Sequence, residues 1–257
     1  MTFKPRYVSI AVITLACITP VLVLVLLSLS QSWVYPKVIP GRLSVSQWRE
    51  ALRQNTGIAN SLYITLLLAA AVAVISTTSG FICSKWIAYH KHKKRLLLLA
   101  YLPFVLSPVI LAVCLKFYFI KLNLAGTFVG VLLAQLVIAF PYSTIFFTGF
   151  WNRQMLQYEQ LVQTLGGSQG YAFKMVIVPA AKPLLLICFF QCFLIAWFEY
   201  GLTSVIGYGK VPTLTIKVYQ FVTEANIYYA ALSCCLLVLP PILLLWINKR
   251  IIFRQVK

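Results

Sequence analysis

Six stretches of this chain run long and apolar with almost no charge, at about residues 7–30, 59–84, 96–118, 125–150, 184–206 and 228–247. A helix needs roughly 20 apolar residues to cross the hydrocarbon of a bilayer. The chain is 61% hydrophobic and only 10% charged, against roughly 25% charged in a soluble domain. No compact fold hides that much apolar surface from water, so lipid is the expected solvent. The expected fold is all-α: one transmembrane domain over residues 1–257 with six spanning helices. The first run follows Lys4 and Arg6, but it outlasts a signal-peptide core and no A-x-A-like site follows.

Charge orients the spans. The 22 Lys and Arg stand against 4 Glu and no Asp, a net charge of +18. With the N-terminus in the cytoplasm, the inner segments hold 14 of the basic residues and the outer ones 8, which favours both termini inside. The run HKHKKR at 90–95 is the clearest inner signal. It is short and lacks interleaved aromatics, so it argues against a nucleic-acid partner. The seven cysteines all lie in or beside apolar segments with no C-x-x-C pair, and neither a disulfide framework nor a zinc site is expected.

Polar segments interrupt the runs. Residues 31–58 carry Trp33, Tyr35 and Trp48, aromatics suited to a membrane–water interface, and SVSQWREAL is a candidate amphipathic helix lying there. Residues 207–227 read as an interfacial or partly re-entrant connection. Asn60 and Ser61 are N-cap residue types opening the second span. Pro103, Pro108, Pro240 and Pro241 predict kinks. Gly126 and Gly130 form a G-x-x-x-G at the start of the fourth span, a helix-packing signature.

The inner segment 151–183 carries the most information. Gly166-Gly167-Ser168-Gln169-Gly170 fits G-x-S-x-G, which in hydrolases needs a strand before it and His and acidic partners. Here the preceding YEQLVQTL is helical in pattern. His90 and His92 are the only histidines, both inside the basic run, and there is no Asp. Hydrolysis is therefore not expected, nor is any cofactor. No Walker A loop is present, so the chain does not bind ATP by that means. What remains is a short helix from Arg153 to Leu165, a stop at Gly166-Gly167, and a second short amphipathic stretch, YAFKMVIV, leading to Pro179. Spacing alone leaves two readings: a docking knob for a partner, or an ordinary loop with interfacial helices.

The stretch YEQLVQTLGGSQGYAFKMVIVPAAKP resembles the cytoplasmic "EAA" loop of permease subunits of bacterial ABC importers. Gly166 takes the place of the family glycine, with Thr164-Leu165 before it and Phe173, Val178-Pro179 and Pro183 matching the tail. Gln160, Leu161 and Val162 stand where Glu-Ala-Ala would be, and Glu159 lies one position early. Asn60-Ser61-Leu62 is similar to the family's N-S-L start, and Phe198-Glu199-Tyr200-Gly201 to its acidic–aromatic patch. VPTLTIKVYQF resembles permeases of the spermidine/putrescine, iron(III), thiamine and phosphonate group. The resemblance implies a multi-pass protein of the bacterial inner membrane with three kinds of partner: ABC ATPase subunits, a second permease subunit (identical or not), and an extracytoplasmic substrate-binding protein. It implies ATPase docking through Tyr158, Glu159, Gln160, Leu161, Val162, Leu165, Gly166 and Ser168. Glu199, an ionisable residue near a span end, is a pathway candidate; an interfacial Glu in water, near Lys210 or Lys217, is the alternative. A secondary transporter or channel is the rival class, but such proteins carry buried charges for ion coupling, and only Glu199 is placed to serve.

Overall fold

The computed structural model describes residues 5–30, 44–53 and 56–255. The helices, in chain order, are α1 (Pro5–Leu29), α2 (Ser46–Leu52), α3 (Ile58–Tyr89), α4 (Lys93–Val105), α5 (Pro108–Lys121), α6 (Phe128–Thr148), α7 (Arg153–Thr164), α8 (Gln169–Ala172), a π-helical turn (Phe173–Ile177), α9 (Val178–Trp197), α10 (Gly201–Gly207), α11 (Leu214–Thr223) and α12 (Ile227–Gln255). Five helices are long and apolar enough to cross a membrane, and six spans result if the bent pair α4–α5 counts as one. Large apolar side chains point outward along them, among them Leu22 on α1, Ile82 on α3, Leu98 on α4 and Val113 on α5. Exposed apolar surface on this scale marks contact with lipid or partner chains.

The chain divides into two compact units. The first comprises residues 1–63 and 212–242. In it α2 is the amphipathic helix expected around Trp48; Trp33 and Tyr35 lie outside the described residues. The expected interfacial connection contains the regular helix α11. After it Ala225 takes a left-handed φ of 55°, and the Asn226 side chain accepts a bond from the Tyr229 amide at 3.3 Å, opening α12. The N-cap expectation at Asn60-Ser61 is corrected: α3 already begins at Ile58. The Ser61 amide donates to Gly57 O at 3.0 Å, inside the first turn.

The second unit comprises residues 64–211 and 243–257. One buried cluster joins Leu111, Ala112 and Phe119 of α5 to Ala134 of α6 and to Leu202 and Ile206 of α10. A second joins Leu68, Val131 and Val211. Helices α3 and α6 meet closely. The Ser143 hydroxyl donates to Ser76 O at 2.6 Å, and Gly80 lies directly against it.

Three sequence expectations change here. The third span is not one helix over 96–118: α4 and α5 meet at 100°. Leu106 and Ser107 are both extended; at Ser107 the ring of Pro108 disfavours helical geometry in the residue before it. The fifth span ends at Trp197, and residues 201–207 form the separate α10. Gly126 and Gly130 serve the turn into α6. Gly126 has φ +73° and donates its amide to Ile206 O at 2.8 Å. A methyl on Gly130 would sit 1.9 Å from the Leu124 carbonyl oxygen.

Candidate functional site

The first part of the polar segment after α6 forms the expected short helix, and local rules account for each end of α7. Asn152 caps it, its side chain accepting from the Met155 amide at 3.0 Å. At the other end Gly166 takes φ +84°. The Gly166 amide donates to Gln163 O at 3.0 Å and the Gly167 amide to Val162 O at 2.9 Å. This pair of bonds is a Schellman motif, which closes a helix with a left-handed residue, usually glycine. Ser168 then caps the next turn, accepting from the Tyr171 amide at 3.2 Å. The second stretch is not an isolated helix: α8, the π-helical turn and α9 run as one apolar rod from Gln169 to Trp197. The π-helical turn sits just before Pro179, which lacks an amide and crowds the carbonyl four residues earlier.

The helix α7 has two unlike faces. Tyr158, Leu161 and Leu165 are 39%, 57% and 81% exposed, and their spacing of three and four puts them on one side. Gln160, Gly166 and Ser168 are exposed as well, and Val162 is half-buried. Glu159 points the opposite way. It is 4% exposed, with Oε1 2.7 Å from Nζ of Lys85 on α3. Of the eight docking candidates, seven thus lie on or beside the open surface, and Glu159 faces the protein.

Aromatic rings brace the base of the knob. Phe81 of α3 lies 5.0 Å from the rings of both Phe147 and Trp151, and 5.9 Å from Phe173. The Trp151 indole donates to the Ser84 hydroxyl at 2.7 Å, and the Tyr89 hydroxyl donates to Asn152 O at 3.3 Å. Lys85 Nζ stands 5.7 Å from the Trp151 ring and 5.9 Å from that of Phe173. Sequence reasoning placed Lys85 only among the inner charges and missed Ser84, Trp151 and Phe81. No spacing rule links residue 85 to residue 159.

Glu199 lies in the break between α9 and α10 and caps the latter. Its carboxylate accepts from the Leu202 amide at 2.6 Å, the Thr203 amide at 3.0 Å and the Thr203 hydroxyl at 2.7 Å. Thr203 in turn accepts from Nε2 of the buried Gln135 on α6 at 3.0 Å. An anion at a helix N-terminus is stabilised by the unpaired amides and the dipole. Glu199 is therefore bound into the fold while remaining partly exposed.

The fold and this surface define a class: a multi-pass helical membrane protein in which the polar connection after α6 projects a capped, partly apolar helix. No family model matches the chain. The molybdenum transport system permease protein ModB of Mycobacterium tuberculosis is 26% identical over 248 residues, covering 85% of this chain and 94% of that protein. PhnV of Salmonella typhimurium, named for a 2-aminoethylphosphonate transport system permease, is 25% identical over 242 residues, 90% of this chain and 88% of its own. The trehalose transport system permease protein SugB of M. tuberculosis is 26% identical over 165 residues, 63% of this chain and 59% of its own. These relatives bear out the resemblance to permeases of ABC transport systems.

Proposed function

We propose that this chain is the membrane-spanning permease subunit of an ATP-driven ABC importer in a bacterial inner membrane, with both termini in the cytoplasm. A second permease subunit completes the translocation pathway. An extracytoplasmic binding protein delivers substrate, and separate ATPase subunits dock on the knob formed by α7, the Gly166 turn and α8. The observation that carries this reading is the outward stripe of Tyr158, Leu161 and Leu165 on a polar helix between two apolar rods. Water gives no reason to present those side chains, whereas burial of one Leu is worth about 1.5–3 kcal/mol.

Closure of the ATPases on ATP then moves the knob and shifts the spans between inward- and outward-facing states. Such a shift requires each partner to bind the two states with different affinity. Gln160, Leu161 and Val162 replace a smaller triplet, so the receiving groove must be wider than one shaped for Glu-Ala-Ala. Purification of the tagged chain from its own cells in mild detergent tests the reading. Co-purification of a Walker-A ATPase, identified by mass spectrometry, is expected. Its consistent absence while the chain remains folded favours a secondary transporter or channel instead.

A further inference from the structure

The one buried residue of α7 is a charged one, Glu159. An amphipathic helix is ordinarily held by an apolar stripe. Here the inward positions Met155, Leu156 and Val162 are only half-buried, and Glu159 alone is fully covered. Its partner Lys85 belongs to the last turns of α3, a span 32 residues long. The same ammonium faces Trp151, which precedes α7, and Phe173, which follows α8. One cation of a spanning helix therefore meets the middle of α7 and the aromatic rings that flank the knob on either side.

We propose that the Lys85–Glu159 pair is a mechanical pin: it makes α7 and the end of α3 move as one body, so that displacement of the knob reaches the second span directly. This deepens the docking reading and rests on it. Glu159 and Lys85 are then positioning residues, while Tyr158, Leu161 and Leu165 make the contact. The charge pair suits the task because it is strong only in one geometry. Breaking the pair leaves the buried Glu159 carboxylate uncompensated, so the joint resists partial opening. Its salt bridge and two ring contacts converge from separate elements, which fixes direction as well as distance.

The test uses the complex purified from its own cells, with spin labels on unnatural amino acids at the exposed positions Gln163 of α7 and Trp86 of α3, read by pulsed dipolar spectroscopy with and without ATP and vanadate. In the wild type the inter-label distance should not change on trapping. In Glu159→Gln it should shift beyond the about 1–2 Å of ordinary helix adjustment, with the ATPase still bound, and Lys85→Glu/Glu159→Lys should restore the fixed distance. A wild-type distance that changes on trapping, or a Glu159→Gln complex that behaves as wild type, overturns the pin while leaving docking intact. If Glu159→Gln does not fold, recovery of folding and fixed distance in the reversed pair supports the pin, and failure of the reversed pair overturns it. Absence of any ATPase from the wild-type preparation marks failure of the docking reading itself.

Discussion

Gly80 of α3 and Ser143 of α6 touch so closely that a methyl on Gly80 would lie 1.9 Å from the serine hydroxyl and 2.7 Å from its Cβ. The hydroxyl is engaged, donating to Ser76 O at 2.6 Å. A side chain at residue 80 must therefore push the two spans apart or displace that bond. Gly80→Ala should lower stability by about 1–3 kcal/mol, the usual cost of overpacking, read as an earlier thermal transition in detergent. Gly80→Ala/Ser143→Gly should recover part of the loss. An unchanged transition in Gly80→Ala means the two helices are not in this contact.

The turn after α7 yields a graded prediction. Nothing lies within 4 Å of a Cβ built on Gly166, but its φ is +84°. The constraint is backbone conformation, not space, and a left-handed residue costs about 1–2 kcal/mol for ordinary side chains. Asn tolerates that region better than a β-branched residue. ATPase capture should fall in the order Gly166, Gly166→Asn, Gly166→Val. Equal capture by Gly166→Val would remove the turn from the docking argument.

These features were unequally legible in the sequence. The extent of α7 and its glycine stop were readable because capping and left-handed glycine are local properties. The apolar–Pro pair at Val178-Pro179 was readable for the same reason, although the π-helical turn it accompanies was not. The 100° bend at Leu106-Ser107 was hidden, since prolines at 103 and 108 announce a kink without its size. The inward turn of Glu159 was beyond local rules altogether. It depends on Lys85, 74 positions earlier, and a Glu among glutamines carries no mark of which face it takes. Glu199 was noticed as a charge near a span end, but its role depends on α9 stopping at Trp197, which apolar composition does not reveal.

Glu199 should behave as a structural cap. Glu199→Ala removes the acceptor for two amides and the Thr203 hydroxyl, and loss of an N-terminal cap costs about 0.5–2 kcal/mol. The expected result is an earlier thermal transition in detergent, with no substrate present. Glu199→Gln should fall between, since the amide retains one acceptor oxygen. Melting equal to wild type for Glu199→Ala would show that the acid does not hold α10.

The outward stripe gives the sharpest separation of folding from partnership. Leu161 and Leu165 are 57% and 81% exposed, so replacing either with Glu removes little packing from the chain itself. Melting and elution in detergent should stay as in the wild type. At an interface, however, each Glu forfeits the burial of a Leu, about 1.5–3 kcal/mol, and adds a charge to be desolvated. With 1.4 kcal/mol for each factor of ten, ATPase capture should weaken at least about tenfold in either variant. Gln163→Glu serves as the control, being exposed on α7 but on the side of the helix away from Leu161, and it should capture as the wild type does. If Leu161→Glu and Leu165→Glu also retain full capture, the stripe is not the docking contact, and these side chains lie against lipid or another part of the assembly instead.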